Sequence, residues 1–307
     1  MNESDVLRTS TQELTWLCRI NGDENHEWQL TCETTKVRHI IMQHSEDSNP
    51  DVAIVVPTLA TRIVYLEQAL ASIRDASIGH IHICIVGPST PELTQVCERN
   101  GVEQFVNDPG KGLAHAINFA AGQLPSSIKI FNWLGDDDLL MPLSIDFSRS
   151  QLVLDDRNSF VYGACDYIDQ DGEKLWTNKS GRYTKYLMRF GPQLIPQPGA
   201  LMRKSAFDQI GGCNTRYKFA FDLDLFIKLS QIGHAPYIPN TLAAFRWHSD
   251  SLSVSGRRSS VNEASAIRRD HLPSFLAPFS FIWEPIIRNI IFFAGIRMTK
   301  QSKKISK

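Results

Sequence analysis

No two of the six cysteines, Cys18, Cys32, Cys84, Cys97, Cys165 and Cys213, are spaced as a C-x-x-C pair or a zinc-ligand set. A zinc site and a disulfide scaffold are therefore not expected, and reduced thiols are. A large net charge is also missing, because 33 acids nearly cancel 32 bases and leave a net charge of −1. Overall electrostatics thus call for no nucleic acid partner, and any nucleotide recognition has to be local. There is no internal repeat and no low-complexity tract. The opening stretch MNESDVLRTSTQELTW has neither a basic leader nor the apolar core of a secretory signal, so a main domain facing the cytoplasm is expected.

With 307 residues the chain can bury a substantial core. Residues 1–48 are polar and end in the breaker-rich HSEDSNP, which reads as an N-terminal extension of unassigned role. Within it, TWLCRI and WQLTCETTKVRHIIMQ read as strands of a small appendage. From Asp51 the pattern changes. DVAIVVP is a buried strand, VYLEQALASIRDA has helical spacing and IHICIVG is a second buried strand. A short third strand in GVEQFVND, a helix over LAHAINFAAGQL and a fourth strand in IKIFNWLG follow. Strands alternating with helices predict an α/β, Rossmann-like, mostly parallel central sheet with helices on both faces and ligand sites at the carboxyl ends of its strands. Further on, SFVYGACDYID and DGEKLWT read as a hairpin, PQPGALMRKSAFDQIGG as a strand before a short helix, and FDLDLFIKLSQIG as an amphipathic helix. The main domain spans 49–255 and a C-terminal segment 256–307.

Five local patterns carry chemistry. In FNWLGDDDLL an apolar strand ends in Asp136, Asp137 and Asp138. Three adjacent carboxylates need a counter-charge, which a hard divalent cation such as Mg2+ or Mn2+ supplies, although acids there also serve as helix caps. In VVPTLATR, Pro57 and Thr58 end the first strand and Arg62 follows; the proline either opens the loop to a ligand or simply stops the strand. In NDPGKGLAHAIN, Lys111 sits between glycines ahead of a helix whose free amides favour an anion. In FAFDLDLFIKL, Asp222 and Asp224 open an apolar helix. One should cap it, and the other, buried near a cleft, would be a carboxylate of raised pKa suited to proton abstraction. In AAFRWHSDSLS, Arg246 and His248 offer either phosphate and metal contacts or structural hydrogen bonds.

Taken in order, these segments resemble family 2 of the inverting glycosyltransferases, which have the GT-A fold. The similarity runs from about Val52 to Ser253 through Pro57-Thr58, DPGKGLAHAIN, WLGDDD, QPGALMRKSAF, FAFDLDLFIKL and RWHSDSLS. The resemblance implies a sugar nucleotide donor, UDP type favoured, and a glycan or lipid-linked acceptor in cell-surface polysaccharide biosynthesis. It assigns Asp222 as catalytic base, Asp138 and His248 to the metal, and Pro57, Thr58, Arg62, Gly87, Lys111, Asp136 and Asp137 to the donor. Gln197 and Arg246 would contact acceptor or phosphate. Two departures stand out: Gly87 occupies the place of the acid that reads the nucleotide base in the family, and LATR replaces the family's asparagine after Pro-Thr. Two other readings compete, a sugar-nucleotide nucleotidyltransferase and a noncatalytic scaffold of the same fold. The glycine-free loop after the first strand counts against the former.

The C-terminal FLAPFSFIWEPIIRNIIFFAGI is apolar but interrupted by Pro278, Glu284, Pro285 and Arg288, which makes it a poor spanning helix. With the basic tail RMTKQSKKISK it suits peripheral contact with the inner face of the cell membrane; packing on the core or against a second copy in a homodimer is the alternative.

Overall fold

A computed structural model of the chain describes residues 18–22, 28–32, 35–46, 49–247, 256–289 and 293. Strands β1 (Cys18–Gly22) and β2 (Trp28–Cys32) pair antiparallel in a small sheet of their own. Helix α1 (Thr35–Glu46) follows. The sequence reading extended a strand through this region; instead Val37 and Ile41, one helical turn apart, bury against the core of the main domain.

The central sheet contains β3 (Val52–Pro57), β4 (His82–Gly87), β5 (Gln104–Asn107), β6 (Ile130–Trp133), β7 (Leu139–Leu140), β8 (Phe160–Ile168), β9 (Lys174–Asn178), β10 (Ala200–Arg203) and β11 (Tyr237–Arg246). Its order is β5-β4-β3-β6-β10-β8-β11-β7, with β9 paired to β8. β5, β4, β3 and β6 run parallel, β10 runs against them, and β8 and β11 return to their direction. The buried run VAIVVP of β3 is what a strand covered on both faces requires. β8 and β9 form the expected hairpin, stacking Tyr167 on Trp176.

Further helices are α2 (Ile63–Asp75), α3 (Pro91–Arg99), α4 (Leu113–Gln123), α5 (Ser144–Leu154), α6 (Thr184–Leu187), α7 (Lys204–Gln209), α8 (Phe221–Ile232) and α9 (Arg257–His271). α2 exists because Leu66, Ala69, Leu70 and Ile73 fall on one face, all buried. α3 starts where Thr90 accepts from the Leu93 amide and Pro91 presets the first turn. Two apolar layers result, one on each face of the sheet: Ile117, Phe131, Phe160 and Phe226 on one side, Ile54, Leu66, Leu70 and Ile83 on the other.

β3 is flanked by β4 on one side and β6 on the other, so the connections diverge there. A crevice forms outside the carboxyl ends of strands at such a switch point. Thr58 leaves β3 and the aspartate triplet leaves β6 at that place. Among the described residues no helix is long and apolar enough to cross a membrane.

Candidate active site

A cleft of about 1010 Å³ opens at this switch point. Its lining includes Pro57, Thr58, Arg62, Asp136, Asp137 and Asp138 together with Gln193, Gln197 and Asp222. Thr58 donates its hydroxyl to Asp136 Oδ2 at 2.6 Å, which ties the ends of β3 and β6 together. Ala60 adopts a φ of 58°, in the left-handed region, and donates its amide to Thr58 Oγ1. The tightened loop carries Arg62 back over the triplet. Its Nη2 lies 2.5 Å from Asp136 Oδ1 and its Nη1 2.6 Å from Asp137 Oδ2. Part of the counter-charge expected from a cation is thus supplied from within the chain. Burial alone would lower the guanidinium pKa, but the charges of Asp137 and Asp136 outweigh it and raise it.

Burial also raises the pKa of Asp136, against the opposing pull of Thr58 and Arg62. Asp138 is perturbed most. Removal from water first, then the charge of Asp137, holds its carboxyl well above the ordinary aspartate value, although it accepts the Arg246 amide at 3.0 Å. Gly135 makes the cluster possible, because a Cβ there would stand 2.8 Å from Asp138 Oδ2.

Asp222, in the same lining, sits in the first turn of α8, partly open to the cavity. Its carboxyl is pushed up to about 6, chiefly by burial, while the Leu223 amide at 2.9 Å favours the ionised form. The Gln193 amide acts in the same sense but stops short of a regular hydrogen bond, and both of its polar atoms are shielded from water. Asp224 differs. It accepts from His271 Nε2 at 2.7 Å and pairs with Lys228 at 2.7 Å, and these partners bring its pKa below the usual value despite burial. Neither aspartate is the helix cap expected from the sequence. Ala220 occupies that position, and the amides of Lys218, Phe219 and Ala220 are satisfied by Glu263, which reaches over from α9.

Lys111 lines the cleft between Gly110 and Gly112, both at positive φ, ahead of α4. Gln197 also lines it, with Nε2 turned onto Asn132 Oδ1 and the Trp133 carbonyl. Two expected site residues fall outside the lining. Gly87 is packed so closely that a Cβ would lie 2.9 Å from both Leu93 Cδ2 and the Thr58 carbonyl, so no side chain can read a base from there. Arg246, expected to contact acceptor or phosphate, is instead buried. It donates to the carbonyls of Asp137, Asp169 and Gln170 and to Gln68 Oε1, with Tyr65 against its guanidinium. These bonds use most of its N–H donors and brace the triplet loop, and Arg246 is not part of the cleft lining. His248 lies outside the described residues.

The cleft has an aromatic wall that single motifs did not reveal: Tyr167, Phe245 and Trp247 line it, with Trp176 behind Tyr167. The Trp247 indole N–H is buried without a hydrogen-bond partner. These rings come from β8, β9 and the end of β11, and only strand pairing brings them together.

No family model matches the chain. An uncharacterized glycosyltransferase of Rickettsia conorii is 24% identical over 211 residues, which is 65% of this chain and 34% of the relative. One of Rickettsia felis is 24% identical over 213 residues, 66% of this chain and 35% of the relative. The chain therefore spans about a third of the length of the curated relatives it matches. Among solved structures, the mannosyltransferase PcManGT from Pyrobaculum calidifontis, in complex with GDP-Man and Mn2+, superposes with a TM-score of 0.55 at 15% identity over 83% of this chain and 76% of that one. S. aureus TarS 1-349 gives 0.54 at 13% identity over 78% and 71%, and it has also been solved with UDP and with UDP-GlcNAc. The fold is that of GT-A-like glycosyltransferases.

Proposed function

We propose that the chain transfers a sugar from a nucleoside diphosphate sugar to a hydroxyl of a glycan or lipid-linked acceptor, with inversion, in the making of a cell-surface polysaccharide. One observation carries this reading: a carboxylate whose pKa is raised to about 6 lines the same cleft as a strand-terminal acidic cluster. The names of the curated relatives and the sugar nucleotides held by the structural neighbours support it.

In an inverting transfer the acceptor oxygen attacks the anomeric carbon as the nucleoside diphosphate leaves, so a base must take the hydroxyl proton and positive charge must meet the departing phosphates. Asp222 is the base. It is ionised above pH 6 and basic enough to receive the proton. Arg62, Lys111 and the amides at the start of α4 line the cleft and would meet the diphosphate there. Single displacement requires no covalent sugar intermediate.

The carboxylates fit a hard cation. Their oxygens are the ligands Mg2+ and Mn2+ prefer, and burial next to like charge leaves Asp138 in need of a positive partner. Among the described residues no group of three His, Cys, Asp or Glu is arranged to hold an ion by itself. Mg2+ commonly takes one or two protein carboxylates and completes its shell with water and substrate phosphate. Asp138, with Asp136, would hold it, and it would neutralise charge on the leaving diphosphate.

Gly87 favours a second reading for donor choice. With no room for an acid at the end of β4, the base must be recognised differently from the family's usual way, or the fold serves as a noncatalytic scaffold. Incubating the full chain with Mn2+ and a panel of UDP, GDP and TDP sugars separates these. A donor that raises the unfolding temperature and is turned over supports transfer, whereas no stabilisation by any donor supports the scaffold.

A further inference from the structure

Outside the cleft, two exposed apolar segments lie close together. The first is RYTKYLMRF around α6, where Tyr183, Tyr186 and Leu187 are 61, 64 and 56% exposed. Thr184 and Met188 of the same segment point inward and anchor it. The second follows α9, where Phe275, Phe279, Phe281, Ile282 and Ile286 are all more than half exposed. Residues 280–289 are helical. The carboxylate that makes this stretch unfit to span a bilayer is turned toward the protein: Glu284 is buried and bonded to Arg268 at 2.7 and 2.9 Å. Ser280 is buried beside it. Phe281, Ile282 and Ile286 face outward, with Arg288 and Asn289 exposed after them.

Arg268 joins the two segments. Fully buried itself, it pairs with Glu284 on one side and donates to the Gly191 carbonyl, next to Phe190, on the other. The electrostatics of both segments have one sign. Between Glu173 and Asp208 the chain has no acid but carries Lys174, Lys179, Arg182, Lys185, Arg189, Arg203 and Lys204. After Glu284 there is again none, and Arg288, Arg297, Lys300, Lys303, Lys304 and Lys307 follow. Arg182 and Lys185 lie over the rings of Tyr183 and Tyr186 at 4.9 and 5.2 Å, which places cations beside exposed aromatics.

We propose that these two segments form one face that seats the protein on an anionic phospholipid surface. Exposed aromatic and aliphatic side chains flanked by bases suit the headgroup boundary, where rings and cations are both stabilised. A second copy of the chain is disfavoured as the occupant, because a two-fold contact sets a patch against itself and would oppose bases to bases. The face borders the cleft, since Pro192 and Gln193 follow Phe190 and Gly191 directly and line the cavity beside Asp222. Docking itself does not depend on the proposed transfer reaction.

The test is co-sedimentation of the full chain with vesicles of phosphatidylcholine alone or enriched in phosphatidylserine, at low and physiological salt. Wild type is expected to bind the anionic vesicles more tightly and to lose binding as salt rises. Two apolar double variants, Tyr186→Asp with Leu187→Asp and Phe281→Asp with Ile282→Asp, should each bind at least about tenfold more weakly. A charge variant, Arg182→Glu with Arg189→Glu, keeps the apolar side chains and should weaken binding in the same sense, so the proposal is tested even if an apolar variant unfolds. The proposal is overturned if wild type ignores anionic vesicles at low salt. It is equally overturned if folded variants bind like wild type, or if they instead abolish a concentration-dependent dimer.

Discussion

Asp222 and Asp224, two positions apart on α8, stand in opposite ionisation regimes: burial lifts Asp222 to about 6, while His271 and Lys228 hold Asp224 below its ordinary value. The first looks into the cleft and the second into the seam with α9. Asp222→Asn is therefore expected to keep donor affinity and lose turnover by about a hundredfold or more, the scale for loss of a general base. Asp224→Asn is expected to lower the unfolding temperature, because it leaves Lys228 and His271 without their carboxylate. If Asp224→Asn instead abolished turnover at unchanged stability, the two roles would have to be exchanged.

The same contrast sets opposite pH dependences. Asp222 has a native pKa of about 6 against an ordinary 3.8, so the folded state holds its proton more tightly. Its contribution to stability is fully present below pH 3.8 and is lost as pH rises through 6. Asp224, lowered in the native state, contributes above its ordinary value and loses that contribution as pH falls through its native one. Asp222→Asn should consequently melt at a higher temperature than wild type at pH 8 and show little difference near pH 4. Turnover of wild type should rise through about pH 6 and level off. Melting curves and a pH–rate profile measure both.

Arg62 binds the triplet that the proposed cation would share. Asp138→Asn should abolish the stabilisation that a donor gives in the presence of Mn2+ and leave the fold intact, since an amide at this buried site removes a repelled charge. Arg62→Gln should raise the pKa of Asp136 further and weaken donor binding by roughly tenfold, the effect of losing one charge-assisted contact. Thermal shift titrations with and without Mn2+ report each. Unchanged metal dependence in Asp138→Asn would remove this residue from the metal site.

Gly87 tests whether the missing acid can be restored. Even alanine there meets Leu93 and the Thr58 carbonyl at 2.9 Å, so Gly87→Ala should destabilise the fold by about 1–3 kcal/mol in chemical denaturation. Gly87→Asp should cost more and should not create preference for a UDP donor. A stable Gly87→Asp with a new base preference would contradict the packing account.

Much of the fold was legible because buried parallel strands and amphipathic helices announce themselves locally, as VAIVVP and VYLEQALASIRDA do. The triplet was legible for a related reason: acids at the end of an apolar strand lie where α/β sheets open. What stayed hidden depends on distant partners. Nothing near Asp222 tells that Glu263 takes the Lys218, Phe219 and Ala220 amides just ahead of its helix, nor that Arg246 folds inward onto the Asp137, Asp169 and Gln170 carbonyls. The aromatic wall of Tyr167, Phe245 and Trp247 exists only once β8 and β11 pair. α1 was misread because its Thr and Val residues favour strands in isolation, whereas burial of Val37 and Ile41 decides for helix.

The central claim is that Asp222 takes the acceptor proton in a sugar transfer from a nucleoside diphosphate. It is tested most directly by release of nucleoside diphosphate from the donor that best stabilises the chain, measured with Mn2+ and a glycan acceptor for wild type and Asp222→Asn. The account predicts acceptor-dependent release by wild type, a product of inverted anomeric configuration, and at least a hundredfold loss in the variant at equal donor occupancy. Release that proceeds equally in Asp222→Asn, or a product of retained configuration, would contradict it.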